Sequence, residues 1–107
     1  MGDRQKLGFK EARGLILDSL RDRNYGHWPR KDAPVKNWLQ YERITPEEVI
    51  ELLLRCRGDQ HTASPCHFDP ATTAHEFRIE KEGQRWYVKA YGDDDLEQTV
   101  FMSVHPS

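Results

Sequence analysis

The stretch AHEFRIEKEGQRWYVKAY, residues 74–91, decides the fold because it predicts a β-hairpin. Apolar and polar residues alternate with period two in residues 74–80 and again in residues 85–91, as in strands with one buried face. A two-residue turn at Glu82 and Gly83 sets the register of the hairpin. In this register Ile79 faces Trp86, Phe77 faces Val88 and Glu76 faces Lys89.

A third alternating run, TVFMSVH at residues 99–105, predicts another strand of the same antiparallel sheet. The loop from Gly92 to Gln98 is long enough for a simple meander or for a crossover, so the place of this strand stays open. One face of the sheet should be apolar: Phe77, Ile79, Trp86, Val88, Ala90, Val100, Met102 and Val104. The other should be polar and aromatic: Glu76, Arg78, Tyr87, Lys89, Tyr91, Phe101, Ser103 and His105.

Two helices are expected before the sheet. Apolar residues recur at helical spacing in residues 4–23. Thr45, Pro46 and Glu48 form a capping box that starts a second helix, which Gly58 ends. Residues 24–38 and 59–73 are expected to be loops, the first with a short helical turn at most. We therefore predict an α+β fold of one domain, residues 1–107, with two N-terminal helices packed on a three- to four-stranded antiparallel sheet.

The charge of the chain argues against a protein that holds DNA by electrostatics alone. Sixteen Lys and Arg residues stand against 18 Asp and Glu residues, a net charge of -2. The positive charge is concentrated in residues 1–43 and the negative charge in residues 44–107, so a local basic groove for RNA remains compatible with the sequence. No stretch resembles a membrane span or a signal peptide, and we expect a cytoplasmic protein without membrane contact.

The polar sheet face is the candidate site. RNA cleavage without a metal needs a base for the 2'-hydroxyl, an acid for the 5'-oxygen, cations for the phosphate and a surface that stacks a base. His105 or Glu76 could move protons, because histidine titrates near neutral pH. Lys89 and Arg78 could hold the phosphate, and Tyr87, Tyr91 or Phe101 could stack a base. Ser103 lies on the same face. The same pattern also fits an ordinary solvated sheet face with a Glu76–Lys89 ion pair.

No metal or cofactor is expected. Cys56, His61, Cys66 and His67 include the residue types that bind zinc, but their spacing does not match that of zinc fingers. The two cysteines are expected to be free thiols in a cytosolic protein. The nucleotide-binding loops and the metalloprotease and serine-hydrolase motifs are absent from the sequence.

The second half of the hairpin and the last strand, GQRWYVKAY and FMSVH, resemble the C-terminal part of the motility quorum-sensing regulator (MqsR) toxins, which belong to the RelE-like mRNA interferases. The resemblance implies that Tyr87 takes the place of the family's active-site tyrosine and Lys89 that of the lysine two residues later. His105 would replace a lysine of the last strand. Glu76 falls near a family glutamine, and His67 near a family lysine before the first strand. Two basic positions are thus histidines here, which favours acid–base catalysis.

The expected function is therefore that of a toxin of a bacterial type II toxin–antitoxin system, a metal-independent endoribonuclease that inhibits translation. Its partners would be mRNA and a cognate antitoxin protein, with the ribosome as a further candidate. The alternative is a non-enzymatic protein-binding module, such as a phage inhibitor or an immunity protein. That module would act through the acidic C-terminal half, above all the loop from Asp93 to Glu97.

Overall fold

Five strands form a single mixed sheet in the structure, a computed structural model that describes residues 8–93 and 97–107. The strands are β1 (Tyr25–His27), β2 (His61–Pro65), β3 (Thr73–Lys81), β4 (Gln84–Asp93) and β5 (Gln98–Pro106). Their order across the sheet is β1-β5-β4-β3-β2. Strand β1 runs parallel to β5, and the other neighbours are antiparallel. Strands β3, β4 and β5 form a meander, which resolves the choice between meander and crossover.

The predicted hairpin of β3 and β4 is confirmed together with its register. The pairs include Ile79 with Trp86, Phe77 with Val88 and Glu76 with Lys89. Glu82 and Gly83 have φ angles of 53° and 81°, so both central residues of the turn are left-handed. This is the backbone of the two-residue turn that matches the twist of paired strands.

The α+β class is confirmed, whereas the predicted three to four antiparallel strands are wrong, because β1 and β2 lie in segments predicted to be loops. Strand β1 has only three residues and is held by its parallel pairing with β5. Strand β2 has the sequence HTASP and lies at the edge of the sheet, where it pairs with β3 alone. Its residues are partly exposed, so apolar and polar residues do not alternate clearly. Pro65 has no backbone N–H, and it is tolerated at the end of β2 because this strand lies at the edge of the sheet.

Three helices are described: α1 (Phe9–Arg21), α2 (Ala33–Lys36) and α3 (Pro46–Arg55). The capping box of α3 is confirmed, since the Thr45 side chain accepts from the Glu48 amide and the Glu48 side chain accepts from the Thr45 amide. This helix ends at Arg55, before Gly58, which begins a single 3-10 turn. Helix α2 is a short helical turn within residues 24–38, as the sequence allowed. The part of the predicted first helix before residue 8 lies outside the described residues.

Helices α1 and α3 cover one face of the sheet and form the main core with it. The core is closed by Trp38, which meets Trp86 edge-on with ring centroids 5.7 Å apart. No helix in the described part of the chain is long and apolar enough to cross a membrane. The buried core residues from the helices, the loop before α3 and the sheet are Ile16, Leu17, Leu20, Leu39, Ile44, Val49, Leu52, Leu53, Cys56, Phe77, Ile79, Val88, Ala90, Phe101 and Val104.

A β-bulge in β5 changes the predicted face of every residue before it. Ser103 pairs with Lys89 and Phe101 pairs with Ala90, so Met102 is an extra residue without an opposite partner on β4. One extra residue reverses the alternation of the strand. Phe101, predicted on the polar face, is therefore fully buried in the main core. Val100 and Met102, predicted on the apolar face, pack instead on the opposite side of the sheet.

A second, smaller core lies on that opposite side, at one end of the sheet. It contains Cys66, Ala74, Tyr91 and Val100, with Trp28 and Met102 packed against them. Phe68 stacks on Trp28 with ring centroids 4.2 Å apart and also contacts Tyr91 at 5.2 Å. This aromatic cluster (Trp28, Phe68 and Tyr91) makes one end of the predicted polar face apolar.

Candidate functional site

The rest of this face carries two rows of polar side chains across β3, β4 and β5. In one row Arg78 pairs with Tyr87, and Tyr87 pairs with His105. In the next row Glu76 pairs with Lys89, and Lys89 pairs with Ser103. Together with Arg30, which reaches this face from the loop before α2, we call these residues the polar cluster: Arg30, Glu76, Arg78, Tyr87, Lys89, Ser103 and His105.

Tyr87 occupies the middle of the first row. The Arg78 guanidinium lies over its ring, 5.3 Å from the centroid, and the His105 ring lies 5.5 Å away on the other side. Burial of the side chain, and next its hydrogen bond to the Glu76 carboxylate, raise the pKa of Tyr87 to about 12. The phenol therefore stays protonated at neutral pH and acts as a hydrogen-bond donor.

The imidazole of His105 is oriented by its own backbone neighbour. Its Nδ1 lies 2.8 Å from the Pro106 carbonyl oxygen. Because a carbonyl oxygen can only accept, Nδ1 carries the proton and donates it to this bond. In the neutral imidazole Nε2 then keeps its lone pair and is able to take a proton.

Glu76 connects the two rows. Its side chain is only 16% exposed and accepts a hydrogen bond from Arg78 at 3.1 Å. The Ser64 hydroxyl on β2 makes a longer contact to its other oxygen, at 3.5 Å. Glu76 thus fixes both the Arg78 guanidinium and the Tyr87 phenol. This arrangement suits a residue that positions other groups.

Arg30 is a functional candidate that the sequence did not reveal. Its Nη1 donates to the Ser103 hydroxyl and to the Met102 carbonyl oxygen, both at 2.9 Å. Asp32 forms an ion pair with the same guanidinium. Arg30 donates to the Met102 carbonyl oxygen at the bulge, and the alternation of residues in β5 does not predict this bulge. No motif around Arg30 in the sequence indicates a functional role.

Three predicted site residues are not part of this arrangement. Tyr91 is only 9% exposed because Trp28 and Phe68 cover it, and burial raises the pKa of its phenol. Phe101 belongs to the main core, so neither ring is free to stack a base, contrary to the prediction. His67 is exposed in the loop between β2 and β3, outside the contacts of the polar cluster.

The residues considered for zinc are separated in the structure. Cys56 lies in the main core and Cys66 in the second core, and both are buried free thiols. His61 instead stacks on His75, with His61 Nε2 3.0 Å from His75 Nδ1. Within residues 8–93 and 97–107, no group of three or more His, Cys, Asp or Glu residues is placed to hold a metal ion.

Comparison of the chain with protein-family profiles, with curated proteins and with solved structures gave no match. The polar cluster itself is therefore the feature of this molecule that bears on function. Its three cations, its neutral phenol and its oriented imidazole are the features to be explained.

Proposed function

We propose that this protein is a metal-independent endoribonuclease with a RelE-like fold, a toxin of a bacterial type II toxin–antitoxin system. One observation carries the proposal: Arg78, Tyr87 and His105 stand in a row across three adjacent strands. A cation, a neutral donor and an imidazole that is held through Nδ1, with Nε2 left for the substrate, are groups that cleavage at a 2'-hydroxyl can use. In this row the proton donor Tyr87 lies between the cation Arg78 and the general base His105.

In the proposed reaction, His105 Nε2 takes the proton of a ribose 2'-hydroxyl. The 2'-oxygen attacks the adjacent phosphorus, and the bond from phosphorus to the 5'-oxygen breaks. Tyr87 donates its phenolic proton to the leaving 5'-oxygen and regains a proton from His105 or water after release. The products are a 2',3'-cyclic phosphate and a 5'-hydroxyl, and no metal is consumed or required.

The surrounding charges support this assignment. Lys89 and Arg78 from the sheet and Arg30 from the loop place three cations around one face, where they would hold the phosphate and stabilise the phosphorane. Two carboxylates, Glu76 and Asp32, hold the two guanidinium groups in place. The cluster keeps a net positive charge although the whole chain is slightly acidic. Glu76 acts as a positioning residue in this scheme.

The substrate would be single-stranded mRNA in the cytoplasm, and a cognate antitoxin would control the enzyme. The resemblance to the MqsR toxins supports this biological setting, with Tyr87, Lys89 and His105 at matching motif positions. The ribosome is a further candidate partner, because a bound ribosome would present message to a chain whose net charge of -2 gives it no general attraction for RNA.

The test combines growth and purified components. Wild-type protein, Tyr87→Phe, Lys89→Ala and His105→Ala are expressed in bacteria, with growth and mRNA integrity followed in the same cultures. The purified proteins are then incubated with mRNA and excess chelator. The matched control is Lys10→Ala, which removes an exposed lysine from α1. We expect arrest and chelator-resistant cleavage from wild type and the control, and loss of both in the three cluster variants.

His67→Ala belongs in the same experiment because it decides whether the exposed histidine takes part in proton transfer. Chelator-sensitive cleavage, or full activity of His105→Ala, would overturn the proposed mechanism. Normal growth and intact mRNA with wild type would favour the protein-binding module. Reversing Asp93 and Glu97 would then test the acidic loop, of which residues 94–96 lie outside the described residues.

A further inference from the structure

An exposed aromatic ring stands at the border of the polar cluster. Phe68 is 44% exposed, although its ring stacks on Trp28 with planes inclined by only 17°. Tyr91 lies beneath both rings, 5.2 Å from Phe68 and 6.3 Å from Trp28. Phe68 is therefore supported by aromatic neighbours while much of its surface remains open to solvent.

The loop that carries Phe68 is fixed by local hydrogen bonds. The Asp69 carboxylate accepts from the Ala71 amide at 3.0 Å and from the Thr72 hydroxyl at 2.9 Å. The Thr72 amide donates to the Asp69 carbonyl, and the Cys66 amide donates to the Thr72 carbonyl. These bonds close the loop immediately around Phe68, so its ring is presented in a defined orientation.

We propose that Phe68, backed by Trp28, is the platform on which an unpaired nucleobase of the RNA stacks when the neighbouring phosphate lies at the polar cluster. This inference rests on the proposed function. It assigns the stacking role to Phe68, since the sequence-predicted rings of Tyr91 and Phe101 are buried.

The platform lies at a suitable distance from the reacting groups. Tyr91, under the platform, and Tyr87 are on the same face of β4, four residues apart, which corresponds to roughly 13 Å along the strand. Lys89 lies between them on that face. Burial raises the pKa of the nearby Cys66 thiol, and the charge of Lys89 is close enough to oppose part of this increase. A cation thus lies between platform and phenol, where the backbone of a short single-stranded segment would pass.

A nucleobase fits this surface better than an aliphatic group does. Every base has a flat π-face, and stacking on an aromatic side chain tolerates different bases. A flat, rigid and partly exposed ring beside a group of cations is the combination used by proteins that bind single strands. The cations here are Lys89, Arg30 and Arg78 of the polar cluster.

The experiment measures binding separately from cleavage. The probe is a short 2'-O-methyl RNA of mixed sequence that carries 2-aminopurine, whose fluorescence is quenched by stacking; the methylated 2'-oxygen prevents the reaction. Phe68→Leu keeps an apolar side chain but removes the π-face, whereas Phe68→Trp keeps it. Tyr41→Leu is the matched control, because Tyr41 is another exposed aromatic residue, located in the turn between α2 and α3.

We expect Phe68→Leu to raise the Kd for the probe about tenfold and to abolish its quenching, with Phe68→Trp and Tyr41→Leu close to wild type. In cleavage assays KM should rise while kcat is retained. Unchanged affinity and quenching in Phe68→Leu would overturn the platform while leaving the proposed nuclease intact. If the wild-type protein cleaves no RNA but its binding of the probe depends on Phe68, the stacking platform would be supported and the proposed nuclease activity would be overturned. A wild-type protein that neither binds nor cleaves would overturn both.

Discussion

Tyr87 and His105 occupy opposite positions on β4 and β5, with ring centroids 5.5 Å apart and ring planes inclined by 47°. The phenol is held protonated by burial and by its hydrogen bond to Glu76, whereas Nδ1 of the imidazole donates to the Pro106 carbonyl oxygen. This bond fixes the ring and leaves Nε2 as the nitrogen that a bound substrate can reach, which suits an acid–base pair.

Tyr87→Phe should lower single-turnover cleavage by about 100-fold, the usual contribution of a positioned acid, while affinity for 2'-O-methyl RNA is retained. Because the pKa of Tyr87 is raised to about 12, the phenol does not ionise between neutral pH and pH 10. Loss of its proton should therefore not limit the rate in that range. A pH–rate profile checks this, and a fall in rate below pH 10 that disappears in Tyr87→Phe would contradict the assignment.

Arg30→Ala should affect both folding and function, because Arg30 satisfies the Met102 carbonyl and holds the Ser103 hydroxyl. We expect the free energy of unfolding to fall by about 1–3 kcal/mol, as for other lost bonds to a charged group. The control Arg21→Ala removes only an exposed ion pair with Asp18 and should cost less than about 0.5 kcal/mol. Denaturant titrations compare the two, and equal effects would argue against the described contact.

Phe101→Ala tests the bulge. Phe101 is fully buried in the main core, so the substitution should reduce the free energy of unfolding by about 3–5 kcal/mol. Phe68→Ala, at an exposed position, should cost clearly less. If β5 instead continued its alternation through Met102, Phe101 would face the polar cluster and its substitution would be mild. Urea unfolding of both variants at the same pH distinguishes these arrangements.

The stability of the fold should decrease in weak acid. Burial lowers the pKa of His27 and of His61 below the ordinary value of 6.5, so the unfolded chain binds more protons than the folded chain. Their contribution is fully present above pH 6.5 and is lost as the pH falls through the lower folded-state values.

Denaturation at about pH 7.5 and about pH 5.5 should show this loss, and the His27→Gln, His61→Gln double variant should reduce the difference between the two pH values. His67→Gln, at an exposed histidine, serves as the control and should preserve it. A wild-type free energy of unfolding that is the same at both pH values would contradict the prediction.

Local signals in the sequence predicted the parts of the fold that depend on neighbouring residues. The Glu82–Gly83 turn fixed the hairpin register, and the capping box of Thr45 and Glu48 marked the start of α3. The same register correctly brought Glu76, Arg78, Tyr87 and Lys89 onto one face. Each of these features follows from a local signal, the two-residue turn or the helix cap, so the pattern of residue types contains the required information.

Features that depend on distant contacts were not predictable in the same way. The extra residue at Met102 leaves no trace in the alternation of β5, because the residues on both sides of it are suited to burial. Strand β1 is defined by its partner β5, and three residues are too few to show a pattern. Arg30 became a site residue only through its contact with the bulge.

The parallel pairing of β1 with β5 also leads us to expect a particular order of folding. The contact between Ser19 and Thr99 bridges 80 residues, whereas β3, β4 and β5 meet their neighbours across short turns. Closing so long a loop is entropically costlier than forming a meander. The meander can therefore form first, and Arg30 joins Ser103 only when the early segment docks on the finished sheet. A partly synthesised chain that stops before β5 thus lacks both His105 and the Arg30 contact, and the proposed nuclease gains its complete set of groups only after synthesis has passed β5.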